Sequence, residues 1–172
     1  MIEEDKEKSL FFQCLPHWNV VALDSHGRSG GLLTGWSPSF IEFCVFGTNA
    51  GIFMEGRLKK SKDSVKLLNC HASYKDRESF WNQLLDSGLL GEENIIIVGD
   101  LNFTLSAREV WCEQAQIDPM ANFFSNTLQS TGLIDLHPSV MSPTYWNGMS
   151  GSPGISKRLD LFVLASNLLE NK

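Results

Sequence analysis

An α/β domain is what this sequence predicts, on three observations. Ile95-Ile96-Ile97-Val98 is a short β-branched run that ends in Gly99, the pattern of a strand buried on both faces. Apolar residues recur at helical spacing after Asp76 and again after Asp118-Pro119. Between residues 20 and 70, short β-prone segments are separated by glycine-rich and lysine-rich turns.

Taken in order, Ile2 to Leu15 reads as a charged helix with an apolar end at Leu10, Phe11 and Phe12, stopped by Pro16. Val20 to Leu23 is a short strand, and Gly27-Arg28-Ser29-Gly30-Gly31 turns the chain into Leu32-Leu33-Thr34-Gly35-Trp36. Phe40 to Phe46, Gly51 to Met54 and Val65 to Cys70 continue a meander, the last two separated by a turn at Lys59, Lys60 and Lys62. Asp76 is placed to cap a helix bearing Phe80, Trp81, Leu84 and Leu85 that ends near Gly88. After the Ile95 strand, Asp118 as cap and Pro119 at the first position open a helix carrying Met120, Phe123, Phe124 and Leu128. A loop from Asn147 to Ser156 leads to a last strand, Leu159 to Leu164.

Asp100 and Asn102 emerge where the buried strand ends, the place at which α/β folds carry their chemistry. A carboxylate that holds a nucleophile and an amide that steadies an oxygen suit reactions at a phosphate ester. The same two residue types also close turns with no chemistry attached.

The 172 residues are 42% hydrophobic and 20% charged, enough for a single domain over 1–172 with no repeat. Cys14, Cys44, Cys70 and Cys112 form no C-x-x-C pair and read as reduced thiols. With no leader and no membrane-length apolar run, an intracellular protein, cytoplasmic or nuclear, is expected. A net charge of −6 has the wrong sign for gripping nucleic acid through a basic face. It leaves room for a phosphodiesterase, because a divalent cation can dominate an acidic site. The Gly27–Gly31 tract lacks the Lys-Ser or Lys-Thr of a phosphate-binding loop, which disfavours a nucleotide-binding domain.

Five short motifs then fall in one order: Gly27-Arg28-Ser29-Gly30-Gly31, Asn69-Cys70-His71 leading to Tyr74-Lys75-Asp76-Arg77-Glu78, Gly99-Asp100-Leu101-Asn102-Phe103, Pro143-Thr144-Tyr145-Trp146, and Lys157-Arg158-Leu159-Asp160. Their combination resembles the endonuclease/exonuclease/phosphatase domain, especially the apurinic-endonuclease-like domain of plant non-LTR (LINE-type) retrotransposons. The resemblance implies a DNase I-like, four-layer sandwich of two mixed β-sheets flanked by helices, a divalent cation, usually magnesium, and phosphoester hydrolysis on nucleic acid. It implies that Asp100 orients or activates the attacking water, that Asn102 hydrogen-bonds the scissile phosphate and that Asp160 orients a histidine. His71, Trp146 and Arg158 fall at or beside substrate-contacting positions, and a packing role for His71 and Trp146 is the alternative.

Two departures qualify the resemblance. The strands that would carry the family's metal-binding glutamate are expected to precede this sequence, with Glu3 or Glu4 as its only nearby substitutes for a metal ligand. The family's terminal histidine motif has no counterpart after Asp160. The expected protein is therefore an incomplete phosphodiesterase-type domain with little or no turnover. The alternative is a catalytically dead remnant that binds another protein over exposed sheet edges.

Overall fold

The computed structural model describes residues 13–23 and 31–170. The expected helix at Ile2–Leu15 lies mostly outside them, and of it only Gln13 and Cys14 are described as helical. Glu3, Glu4 and Gly27–Gly30 also lie outside. The chain divides into two compact units, Met1–Cys70 and His71–Lys172.

In the first unit, β1 (Asn19–Leu23) pairs antiparallel with β2 (Leu32–Trp36). An antiparallel meander follows, with β3 (Ile41–Thr48), β4 (Gly51–Leu58) and β5 (Ser64–Cys70). The β3–β4 turn is closed by the Thr48 hydroxyl, which accepts the N–H of Ala50 and Gly51 at 3.2 and 3.1 Å and donates to the Gly51 carbonyl at 2.9 Å. At the next turn Lys62 adopts φ 68° and donates its N–H to the Leu58 carbonyl. Ile52, Met54, Leu68 and Cys70 are buried. The Asn69 amide donates to the Leu33 carbonyl and the Thr34 hydroxyl, tying β5 to β2. Gly56 is required by packing: a Cβ there would lie 2.2 Å from the Glu42 carbonyl oxygen and 2.6 Å from the Phe43 ring, which is itself held edge-on by Trp36.

The second unit contains α1 (Arg77–Asp86), β6 (Ile95–Asp100), β7 (Val110–Trp111), α2 (Ala121–Ser130), β8 (Leu133–Asp135), β9 (Tyr145–Trp146), β10 (Ser156–Lys157), β11 (Asp160–Ala165) and α3 (Asn167–Glu170). Strand β11 lies antiparallel between β6 and β8, and β10 lies antiparallel between β7 and β9. Trp81 from α1, Phe103 and Phe124 from α2 form an aromatic core, with the two phenyl rings stacked at 4.3 Å and the indole edge-on to both. The β6 strand differs from its expected double burial. Ile95 and Ile97 are buried, whereas Ile96 and Val98 are half-buried, and on the same face β11 exposes Phe162 and β8 exposes Ile134. Alternation along β6 therefore separates a core face from a partly open one.

Both helix caps also differ from expectation. Asp76 occupies the N-cap of α1 without a side-chain bond, because its backbone (φ −116°, ψ 45°) departs from capping geometry. Asp118 accepts the Met120 N–H at 2.9 Å in a turn that delays α2 to Ala121. None of the described cysteines is in a disulfide. Among the described residues no helix is long and apolar enough to cross a membrane.

The polar centre of this unit is Arg158, which is 3% exposed. Its guanidinium reaches Glu109 Oε1 at 2.8 Å and both Asp135 oxygens at 2.8 and 2.7 Å. Glu109 Oε2 in turn accepts the Leu105 and Ser106 N–H groups. Replacing Arg158 with Met leaves two buried carboxylates uncompensated and is expected to cost about 3–5 kcal/mol in urea unfolding, most of it recovered when E109Q and D135N are added. The Gly56→Val variant is expected to lose about 1–3 kcal/mol in the same measurement, since neither the Glu42 backbone nor the Phe43 ring can retreat freely.

Candidate phosphate-handling site

At the C-terminal end of β6 the chain is held by an unusual turn. Asn102 adopts φ 53°, a left-handed conformation that asparagine tolerates better than most residues. Its backbone N–H donates to Asp100 Oδ1 at 3.0 Å, and its side-chain amide donates to the Ala72 carbonyl at 2.6 Å. The Asn102 carbonyl accepts from Arg77 Nη1 at 3.0 Å. Arg77 is fixed by a two-point ion pair with the buried Asp118 carboxylate, at 2.5 and 3.1 Å. The Ala72 N–H donates to the Asp100 carbonyl, which brings His71 beside the carboxylate, with Nδ1 3.7 Å from Asp100 Oδ2.

Asp160 sits directly across the β6–β11 ladder from Asp100. Burial, reinforced by the Asp160 charge, holds the Asp100 carboxyl above its ordinary range, against the opposing effects of the Asn102 N–H and His71. Among the described residues the Asp160 carboxylate has no hydrogen-bond or ion-pair partner, and its N–H is bound by the Thr144 hydroxyl. Two neighbouring carboxylates, one partly desolvated and one unpaired, are hard oxygen donors of the kind a small divalent cation uses, commonly one or two alongside water and phosphate oxygens. The residues present therefore fit such an ion.

His71, Asp100 and Asn102 open onto a cavity of about 450 Å3 that Tyr74, Arg77, Asp118, Tyr145, Asn147, Ile155, Lys157 and Leu159 also line, whereas Asp160 lies outside this lining and borders a separate cavity with Leu136, Thr144 and Phe162. His71, Asp100 and Asn102 are thus brought together as expected from their positions, with Asp160 beside them on the sheet. Two other candidates are placed differently. Arg158 is buried in its ion-pair cluster, so its charge is spent on Glu109 and Asp135 and does not face the cavity. Trp146 is 61% exposed, donates its indole N–H to the Met149 carbonyl and stays outside the cavity lining.

Their immediate neighbours take the cavity instead. Tyr145 and Lys157 pair across β9 and β10, while Trp146 pairs with Ser156. Side chains alternate along a strand, so a shift of one residue exchanges the two faces. That parity would have selected Tyr145 and Lys157, had strands of only two residues been recognisable. Arg77 and Tyr74 fall within the motif Tyr74–Glu78, where the sequence carries no signal of their place at the cavity, and Asp118 carries only the signature of a cap.

A second set of possible metal donors, Glu109, Asp135 and His137, has ligand atoms within 4.8 Å of one another. The Arg158 guanidinium already supplies their counter-charge, so this set needs no ion.

No protein-family profile and no curated protein matches the chain. Solved structures do. The endonuclease domain of TRAS1, a telomere-specific non-LTR retrotransposon, superimposes with a TM-score of 0.65 at 17% identity, covering 90% of this chain and 69% of that one. An endonuclease/exonuclease/phosphatase family protein from Bacteroides thetaiotaomicron gives 0.55 at 13% identity, with 91% and 64% covered. TDP2 from D. rerio, complexed with a single-strand DNA product, gives 0.52 at 14% identity, with 92% and 66% covered. The chain spans about two thirds of the length of these structures. It adopts the endonuclease/exonuclease/phosphatase fold, the DNase I-like architecture that its five motifs imply.

Proposed function

We propose that this chain is a phosphodiesterase-type domain that engages a nucleic-acid phosphate at Asp100 and Asn102, and that its turnover as this chain is slow or nil. The observation that carries the reading is the convergence of Asp100, Asn102 and His71 on one cavity that also holds Lys157 and two tyrosines. Likeness to TRAS1 and to TDP2 with its DNA product supports the substrate class.

In this reading Lys157 and the free N–H of the Asn102 amide bind non-bridging phosphate oxygens. Tyr145 and Tyr74, 44% and 72% exposed, offer faces on which a base can stack. With Asp100 Oδ1 committed to the Asn102 N–H, Oδ2 accepts a hydrogen bond from the attacking water. As the water oxygen bonds to phosphorus and the bond to the leaving oxygen breaks, the water proton passes to Asp100. A divalent cation, with magnesium the ion implied by the resemblance, would be held by Asp160 and Asp100 and would neutralise charge on the phosphoryl group. Protonation of the leaving oxygen has no dedicated donor among these residues except His71. A positioned acid or base contributes about a hundred- to ten-thousand-fold, which is why turnover is proposed to be slow.

The half-open sheet face, with Phe162 46%, Ile134 39% and Leu136 38% exposed, favours a second reading in which the domain serves as a protein-binding remnant.

Fluorescence anisotropy with a labelled abasic-site duplex and a labelled single strand, in magnesium or manganese, tests the first reading. Binding is expected to strengthen with the cation and to weaken about tenfold or more in K157A, a loss of one charge-assisted contact, and at least as much in N102A, which also removes the hydrogen bond to the Ala72 carbonyl that holds the turn. Equal binding by these variants and the unmodified chain would defeat it. Rapid cleavage abolished by D100A would instead overturn the claim of slow turnover.

A stability measurement addresses Asp100 directly. Its folded-state pKa lies above the unfolded value, so the ionised carboxyl weakens the fold above that folded-state pKa, and the penalty disappears as pH falls below the unfolded pKa. Asp100→Asn is therefore expected to raise Tm by a few degrees at pH 7 and not at pH 3. Magnesium is expected to raise the Tm of the unmodified protein and to leave D100N unchanged.

A further inference from the structure

Strand β3 carries an interaction surface unrelated to the cavity. Among the described residues it pairs on one side only, with β4, in an unbroken register from Ile41↔Leu58 to Thr48↔Gly51. Among the described residues its other side has no strand partner, and of its outward groups the Ile41 N–H is taken by the Ser37 carbonyl. Proteins usually blunt such edges with a bulge, a proline, an unpaired lysine or a very short strand, and β3 has none of these over its eight residues. Its single charge, Glu42, is paired with Lys59 at 3.0 Å. Cys44, Val45 and Phe46 are consecutive and exposed, the last two by 37% and 46%.

We propose that β3 pairs with β3 of a second copy of this chain, forming a two-fold antiparallel dimer. Self-complementarity selects this occupant. In an antiparallel ladder, hydrogen-bonded and non-hydrogen-bonded pairs alternate, so a two-fold axis normal to the sheet must pass where a residue faces its own copy. Placing Cys44 on that axis sets Phe43 of each copy against Val45 of the other, an aromatic against a β-branched side chain, twice. The same register sets Glu42 against Phe46 and Ile41 against Gly47, so no like charges oppose each other. The contact is one strand wide, which makes a weak, concentration-dependent dimer.

Sedimentation equilibrium of the full chain under reducing conditions is expected to show a reversible dimer at micromolar concentrations. Mild oxidation followed by non-reducing peptide mapping is expected to give a Cys44–Cys44 link, since facing residues bring their Cα atoms within disulfide range. V45K and G47K each place a lysine on the edge and are expected to weaken association about tenfold or more with Tm retained. A strictly monomeric chain, a dimer unaffected by both lysines, or crosslinks through Cys14 or Cys112 in place of Cys44 would overturn the proposal. The crosslink map of the unmodified protein decides the register even where a lysine variant unfolds.

Discussion

The site depends on the left-handed turn at Asn102. That backbone conformation is uncommon for a residue with a side chain, and it persists only where its surroundings over-determine it. Here three hydrogen bonds do so: the Asn102 N–H to Asp100, the Asn102 amide to the Ala72 carbonyl, and Arg77 to the Asn102 carbonyl. Each constrains a different atom, and Arg77 is anchored to Asp118, just before α2. One turn thereby couples the end of β6, the start of α1 and the approach to α2. Displacing Asn102 would move the Asp100 carboxylate with it, because the two share a hydrogen bond.

Two arrangements of charge in the same unit show opposite solutions to burial. Arg158 is almost fully buried but satisfied, with two carboxylates and the Leu136 carbonyl around its guanidinium. Its neighbours raise its already high pKa, led by the hydrogen bonds to Asp135, so it stays charged under all ordinary conditions. Asp100 is less buried yet poorly compensated, with a like charge across the ladder and an imidazole 3.7 Å away. A structural ion cluster is recognised by such closure. A site for chemistry is recognised by the lack of it, since an unsatisfied carboxylate is the one able to take a ligand.

The strands of five or more residues and both long helices were legible in the sequence, because periodicity over five or more residues identifies an element. Strands β7, β9 and β10 are two residues long and carry no period at all. The price of missing them fell on the site: without β9 and β10, nothing distinguished Tyr145 from Trp146 or Lys157 from Arg158. Asp100 and Asn102 were legible because strand ends concentrate function and both follow an unbroken β-branched run, Ile95 to Val98. Arg77 was not, since its importance comes from Asp118, 41 residues away. The partial exposure of Ile96 and Val98 was equally hidden, because an unbroken apolar run carries no sign of which face is covered.

Charge at the cavity bears on the nucleic-acid substrate proposed for an acidic protein. Arg77 and Asp118 neutralise each other, and Arg158 is consumed by Glu109 and Asp135. Lys157 and Asp100 then remain as opposite charges lining the cavity, and Asp160 is left over as an unpaired negative charge on the neighbouring strand. In the proposed reading a phosphodiester at the cavity meets the Asp100 carboxylate, with Asp160 on the neighbouring strand, against the single charge of Lys157. A divalent cation held by Asp160 and Asp100 would more than offset these carboxylates, whereas a monovalent one would only cancel one of them. In the proposed reading a metal would therefore serve the local charge balance, independently of the overall −6, with Asp160 and Asp100 as its candidate ligands.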